Sequence, residues 1–131
     1  PFILKGIMTP DEAEIAVEAG AAAIVVSNHG GRILDSTPGA AEVLPAITKK
    51  VKGKITILAD GGVRHGIDVL KYLALGADAV LVGRPIIIGA YGGGKEGVQK
   101  VLESLAGELK AAMILTGCKD IKDITDRIIN Y

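Results

Sequence analysis

The chain has 131 residues, a length that suits one domain or part of a larger one. Lys and Arg together number 15, as do Asp and Glu, so no overall charge favours nucleic acid or a membrane surface. Aromatic residues make up only 3% of the chain, which argues against stacking platforms for single-stranded nucleic acid. We therefore expect no nucleic-acid partner.

The first predicted unit is a short apolar strand, Pro1 to Gly6, followed by a helix. Thr9 suits the N-cap of that helix, Pro10 suits its first position, and Gly20 suits its C-cap. The next strand, AAAIVVSN, is apolar almost throughout rather than alternating. That pattern is typical of a parallel strand buried on both faces.

Two more strand–helix pairs follow. GAAEVLPAITKKV predicts a helix, although Pro45 favours a kink or a later start. ITILADGG predicts the third strand and HGIDVLKYLALGA the third helix, which Gly76 ends. ADAVLVGRP predicts the fourth strand. A glycine-rich stretch from Tyr91 to Gly94 then leads into a long helix over residues 95–115, and KDIKDITDRIINY predicts a short amphipathic helix.

An internal repeat indicates the fold class. EAGAAAIVVSN resembles ALGADAVLVGR, and both segments run from a helix end through Gly-Ala into a strand. A repeated βα unit implies a parallel sheet with right-handed crossovers. Four such units in an α/β chain predict half of an eight-stranded TIM barrel plus C-terminal helices, or else a small open sheet. We treat residues 1–131 as one unit.

Polar residues follow all four predicted strands. They are Lys5-Gly6, the segment Ser27 to Arg32, the segment Asp60 to Arg64, and Gly83-Arg84-Pro85. In a parallel α/β fold the carboxyl ends of the strands lie on one face, where ligands bind. The sequence therefore predicts a ligand site at that face.

The last two strand ends indicate a phosphate site. Gly61 and Gly62 precede a helix, Gly83 precedes Arg84, and glycines let backbone N–H groups approach an anion closely. Arg64 and Arg84 add forked donors that suit phosphate. The alternative is two tight turns with solvated arginines. Because two neighbouring loops share the pattern, we favour phosphate.

His29 and Arg32 indicate acid–base chemistry on a carboxylate. Histidine has a suitable pKa range for a general base, and arginine can hold a carboxylate at two points. A metal site is not expected, because a single histidine with Asp35 supplies too few ligands. His65 stands where a helix begins and is interpreted as a surface or capping residue. Lys5 is either a solvated strand end or a cation for developing negative charge, and Asp60 either a helix cap or an acceptor for a ligand hydroxyl.

A lone cysteine bears on the compartment. Cys118 forms no internal disulfide, which fits a reducing, cytoplasmic location, and we expect its thiol to be buried or inert. No signal-peptide pattern is visible, and the apolar runs are too short to span a bilayer. The chain begins with Pro1 and enters a strand pattern at once, so we expect a fragment of a longer protein.

The motifs ILKG, VSNHGGR, LADGGVR and VGRP, in that order, resemble the FMN-dependent α-hydroxy acid oxidising family, which includes glycolate and lactate oxidases. The resemblance covers essentially the whole chain. It implies that a small L-2-hydroxy acid is oxidised to a 2-oxo acid while FMN takes two electrons, with oxygen, a quinone or a protein as the final acceptor.

The resemblance also implies roles for individual residues. His29 would be the base, taking a proton from the hydroxyl or the α-carbon, and Arg32 would bind the substrate carboxylate. Lys5 would stabilise the reduced, anionic flavin, and Ser27 would hydrogen-bond the flavin. The ribityl chain and phosphate would be bound by Asp60, Gly61, Gly62, Val63, Arg64, Gly83 and Arg84.

Members of that family have a full barrel, and this chain matches only the last four strands and the C-terminal helices. The other half would carry an aspartate partner for His29, tyrosines and a second arginine. We therefore expect a fragment, paired with the N-terminal half-barrel or with a second copy of itself across a two-fold axis. An alternative is a half-barrel that binds FMN or phosphate without turnover. A flavin-dependent isomerase is disfavoured, because it has no use for a base beside a carboxylate clamp.

Overall fold

The structure, a computed structural model, describes residues 1–129, and within them four parallel strands form one sheet in the order β1-β2-β3-β4. The strands are β1 (Ile3–Ile7), β2 (Ala23–Val26), β3 (Thr56–Ala59) and β4 (Ala79–Val80). Sequential neighbours joined by helices are the arrangement that repeated βα units predict. The α/β class with a parallel sheet is confirmed.

Helices α1 (Pro10–Glu18), α2 (Ala40–Val51) and α3 (Gly66–Ala74) connect the strands, and α4 (Arg84–Leu115) follows β4. The predicted N-cap of α1 is confirmed, because Thr9 Oγ1 accepts from the Glu12 amide at 3.2 Å. Pro45 lies inside α2 without ending it.

The core lies between the sheet and helices α1 and α2. Ile24 and Val26 of β2 and Ile57 of β3 are fully buried on this side, and they cluster with residues of α1 and α2, namely Ala13, Ala16, Leu44 and Ile47. Burying one such isoleucine contributes roughly 1.5–3 kcal/mol. Because side chains alternate along a strand, Lys5, Val25 and Leu58, which are in register with one another, point to the opposite face.

The glycine break and the long helix after it are confirmed, because Gly93 and Gly94 leave helical geometry and divide α4 into two helical segments. The segment before the break, which begins at Arg84, is helical although the sequence pattern did not predict a helix there. The segments before and after the break pack closely: a Cβ on Gly89 would lie 2.8 Å from the Gly97 carbonyl oxygen. Glycine at both positions therefore permits a helix–helix contact that larger residues would prevent.

Strand β4 is much shorter than predicted, since only Ala79 and Val80 pair with β3. It is the last strand of the sheet and has one neighbour, so little holds a longer segment in the ladder. One further bond, from the Leu81 amide to the Ala59 carbonyl at 2.9 Å, continues the approach to β3.

The predicted C-terminal amphipathic helix is wrong for the residues that the structure describes. Two short 3₁₀ turns, Ile121–Asp123 and Asp126–Ile128, stand in its place. The Asp123 carboxylate accepts from the amides of Lys119 and Asp120, and these local bonds compete with a continuous helix. Asn130 and Tyr131, the end of that prediction, lie outside the described residues. Across residues 1–129, no helix combines the length and the apolar character needed to cross a membrane.

Candidate functional site

Three predicted site residues meet where β1, β2 and β3 end. Lys5 Nζ donates to Ser27 Oγ at 2.8 Å and pairs with Asp60 Oδ2 at 2.9 Å. The sheet register brings about this meeting, since Lys5 lies in β1 opposite Val25, while Ser27 and Asp60 directly follow β2 and β3. Lys5 therefore has two partners and is not simply a solvated strand end.

Ser27 connects this cluster to the loop that follows β2. Its side chain is almost fully buried, at 2% exposure, and its Oγ accepts from the His29 amide at 3.1 Å as well as from Lys5. A buried hydroxyl with two donors is held in one orientation. Ser27 thus fixes the start of the His29 loop relative to Lys5.

The His29 loop is a short, unusual turn. A 3₁₀ turn covers His29–Gly31, and its three residues have φ values of 60°, 70° and 72°. For histidine this left-handed conformation is uncommon, and such positions concentrate at functional sites. Asn28 Oδ1 accepts from the Gly31 amide at 3.2 Å, and Arg32 Nε donates to the His29 carbonyl at 3.3 Å. The side chains of His29 and Arg32 are both exposed at the surface.

Tyr72 of α3 contacts the loop after β3 from the helix side of the sheet. The Tyr72 hydroxyl lies 2.9 Å from the Asp60 carbonyl oxygen and 2.8 Å from the Gly61 carbonyl oxygen. Gly61 and Gly62 have φ values of 110° and 70°, which glycine adopts without strain. One oxygen of the Asp60 carboxylate, Oδ1, is buried and has no hydrogen-bond partner among residues 1–129.

Asp60 does not cap α3, which was one of the two expectations for it. The N-cap is His65, as predicted for that residue, and Asp68 Oδ2 accepts from the amides of Arg64 and His65, each at 3.0 Å. The Gly66 amide donates to Glu108 Oε2 at 2.7 Å, and this bond lowers the pKa of Glu108. The amides of Arg64, His65 and Gly66, at the start of α3, therefore donate to carboxylates, so an anion at this loop must use other donors.

A cleft of about 390 Å³ opens beside these loops. The ends of β2, β3 and β4 and the start of α4 line it, with the residues His29, Gly30, Arg32, Asp60, Gly61, Gly62, Val63, Arg64, Leu81, Gly83, Arg84, Pro85 and Ile87. Three of these are arginines, and the one carboxylate, Asp60, is already paired with Lys5. The cleft is thus electropositive and suits an anionic ligand.

Arg84 reaches from the start of α4 towards the loop after β2. Its Nη2 lies 3.5 Å from the position that a Cβ on Gly30 would take, so the first residue of α4 reaches the turn after β2. A larger groove of about 680 Å³ lies at the other end of the strands, against the C-terminal turns. There Lys52 and Asp78 pair with each other at 2.6 Å, and none of the predicted site residues lines it. We therefore place the candidate site in the smaller cleft.

The structure brings all predicted site residues into one region. Those from the second, third and fourth strand ends line the cleft, while Lys5 and Ser27 adjoin it through Asp60 and His29. Cys118 is buried beside Leu70 and Ala74, away from the cleft, as expected. Sequence reasoning missed Tyr72, because a lone tyrosine at a helical core position carries no signal of what its hydroxyl meets.

Comparison with known proteins identifies the family of the chain. The sequence model of a family described as FMN-dependent dehydrogenase matches residues 1–131. The 2-hydroxyacid oxidase of Dictyostelium discoideum is 56% identical over 129 residues, covering 98% of this chain and 33% of that protein. The L-lactate oxidase of a Nostoc species is 52% identical over 124 residues, covering 95% of this chain and 34% of that protein.

Solved structures show the same relationship. A crystal structure of mandelate oxidase with benzoyl-formic acid matches with a TM-score of 0.91 and 50% identity, over 93% of this chain and 36% of that one. A mandelate oxidase mutant with a monooxide FMN adduct matches equally well, over 39% of its chain. The chain spans about a third of the length of the curated relatives it matches. It belongs to the FMN-dependent dehydrogenase family.

Proposed function

We propose that this chain is the C-terminal half-barrel of an enzyme that oxidises a small L-2-hydroxy acid to the 2-oxo acid with FMN. The observation that carries the proposal is the meeting of Lys5, Ser27 and Asp60 beside a cleft with three arginines. A cationic strand end, a base and anion-binding loops at the carboxyl ends of parallel strands form one site. The names of the relatives, which include 2-hydroxyacid oxidases, support the substrate class.

Two observations support the half-barrel: the first strand of the sheet has exposed apolar side chains, and the relatives are much longer than this chain. Phe2 and Ile3, beside and in β1, are 47% and 57% exposed, although a strand with these side chains ordinarily lies inside a sheet. The relatives are about three times as long as the matched region. Preceding strands in a longer protein would pair with β1 and cover these side chains.

The residues present fit FMN. Asp60 Oδ1, buried without a donor among residues 1–129, is placed to accept from a ligand hydroxyl such as those of the ribityl chain. Gly61, Gly62, Val63, Arg64, Gly83 and Arg84 line the adjoining part of the cleft and would bind the phosphate. Lys5 and Ser27 would lie beside the flavin ring. When bound, FMN supplies the acceptor for two electrons.

The protein side chains supply binding, orientation and proton transfer. Arg32 would hold the substrate carboxylate at two points, and His29 would take the proton that substrate oxidation releases. The left-handed turn fixes both residues at the mouth of the cleft. Lys5, held by Ser27 and Asp60, would place a positive charge where negative charge develops.

A second candidate function is FMN or phosphate binding without turnover by this chain alone. The hydrogen bonds at His29 run through its backbone N–H and carbonyl, and the part of the chain that the structure describes places no carboxylate on its imidazole. A base without an orienting partner is a weak base catalyst. The phosphate-binding groups, in contrast, all lie within this chain.

One experiment separates the two functions. The chain alone, and the longer protein of which we propose it is part, are titrated with FMN and then supplied with L-lactate or glycolate, with D-lactate as the control. We expect both forms to bind FMN and only the longer one to produce a 2-oxo acid. If the longer protein binds FMN but oxidises none of the L-2-hydroxy acids, the proposed activity is wrong.

A further inference from the structure

We propose that Tyr72 is a positioning residue for the phosphate end of the cofactor, an inference that rests on the proposed function. Tyr72 is 5% exposed and belongs to the core on the helix side of the sheet, so it does not touch the cleft. Its hydroxyl nevertheless lies within hydrogen-bond distance of two successive carbonyls, those of Asp60 and Gly61. These are the residues at which the chain leaves β3 and enters the cleft.

The two carbonyls determine where the following amides point. The peptide bonds in the described chain are trans, and in a trans peptide the N–H is directed opposite to the C=O. Because the Asp60 and Gly61 carbonyls point into the core towards Tyr72, the amides of Gly61 and Gly62 point the other way. Both glycines line the cleft, so these amide hydrogens face a bound ligand.

Among residues 1–129, the Tyr72 hydroxyl is the one group within hydrogen-bond distance of these two carbonyls. The ladder to β2 ends with the Asp60 amide, which donates to the Val26 carbonyl at 3.1 Å. Beyond that point Lys5 holds the Asp60 side chain, and the Tyr72 hydroxyl holds the backbone carbonyls of Asp60 and Gly61. The amides of Arg64, His65 and Gly66 donate to the Asp68 and Glu108 carboxylates, so the backbone donors left in this loop precede Arg64, and they include the amides of Gly61 and Gly62.

The hydroxyl keeps its proton over the whole range in which a protein works. Burial, and then the charges of Asp60 and Asp68, raise the pKa of Tyr72 to about 12. A neutral hydroxyl shares its one proton between the two carbonyls, whereas a phenolate would repel them. The packing is also close, since a Cβ on Gly61 would lie 3.3 Å from the Tyr72 oxygen.

The test is Tyr72→Phe in the longer protein, with FMN and riboflavin as the two probes. We expect the dissociation constant for FMN to rise about tenfold, the effect of one mispositioned set of hydrogen bonds, while riboflavin, which lacks the phosphate, changes less than twofold. The control is Ile47→Val, a core change in α2 away from the cleft. It should lower the unfolding midpoint and leave both dissociation constants unchanged.

Each result has a distinct meaning. Equal losses for FMN and riboflavin, or no loss for either, overturn the positioning role and leave the proposed function standing. Failure of the unmodified protein to bind FMN contradicts the proposed function itself. If Tyr72→Phe does not fold, amide spectra of the unmodified ¹⁵N-labelled protein decide: FMN, but not riboflavin, should shift the Gly61 and Gly62 signals, and unchanged signals overturn the inference.

Discussion

Lys5, in the first strand of the sheet, and Asp60, directly after the third, are joined across the end of β2, with Lys5 Nζ 2.9 Å from Asp60 Oδ2. The pair is partly exposed, with 42% of the lysine and 20% of the aspartate side chain open to solvent. A pair this accessible contributes little to stability. Both members of the pair are predicted ligand-binding residues, which indicates that the ion pair orients the Lys5 side chain.

Replacing Lys5 with Met should slow flavin reduction. The variant removes the positive charge that we propose stabilises developing negative charge, and the loss of one such group costs roughly 10²–10³ in rate. The measurement is the rate of FMN bleaching by L-lactate at saturating FMN. Lys49→Met, at an exposed position of α2, is the matched control and should react normally. A Lys5 variant within threefold of the unmodified rate would contradict this role.

His29→Gln should abolish turnover while FMN binding is retained. General base catalysis contributes roughly 10²–10⁴ in rate, and the amide of glutamine cannot take the proton. The second histidine of the chain supplies the control, because His65 caps α3 and its side chain is 67% exposed. His65→Gln should oxidise substrate at close to the normal rate. Comparable losses in both variants would show that His29 has no special role.

Arg84→Ala should weaken the binding of FMN more than that of riboflavin. A hydrogen bond to a charged group is worth about 1.5–3 kcal/mol, so we expect a loss of roughly 10- to 100-fold for FMN. Fluorescence titration with the two flavins measures the difference. Arg127→Ala, in the exposed C-terminal turn, should leave both affinities unchanged. An equal effect on the two flavins would place Arg84 away from the phosphate.

Acid should weaken the contact between α3 and α4 through Glu108. The Gly66 amide, with smaller contributions from Ser104 and His65, lowers the pKa of Glu108 below its ordinary value of 4.5. A carboxylate whose pKa is lower in the folded than in the unfolded protein stabilises the fold at pH values above its unfolded pKa. This stabilisation is lost as the pH falls below about 4.5 towards the pKa of the folded protein. Urea unfolding at a series of pH values measures the effect.

Glu108→Gln should remove that part of the pH dependence, because an amide does not titrate in this range. The variant should be less stable than the unmodified protein at pH 7, and the two should converge in acid. Parallel pH profiles for the two proteins would show that Glu108 does not link α3 to α4 in this way.

Sequence patterns predicted the parts of the fold that depend on local signals. The Thr9 cap, the glycine that ends α3 and the apolar run of β2 each reflect interactions within a few residues. The meeting of polar strand ends also followed, because parallel strands place their carboxyl ends on one face. This geometry brought Lys5 and Asp60 together although 54 residues lie between them.

The remaining features depend on contacts between distant segments. Gly93 and Gly94 marked the break in α4, but the helical segment that begins at Arg84, and its close contact with the later segment at Gly89 and Gly97, carried no local signal. The role of Tyr72 required knowing that α3 passes beneath the end of β3. The sequence left two roles open for Asp60, a helix cap or an acceptor for a ligand hydroxyl. Because the Asp68 and Glu108 carboxylates accept from the amides at the start of α3, Asp60 does not cap that helix.

The most direct test of the account is the visible spectrum of the longer protein with FMN, recorded without oxygen before and after L-lactate or glycolate is added. The bound flavin should bleach in the unmodified protein and stay oxidised in His29→Gln. A flavin that remains oxidised in the unmodified protein with every L-2-hydroxy acid tried, or that bleaches equally in the His29 variant, would contradict the account.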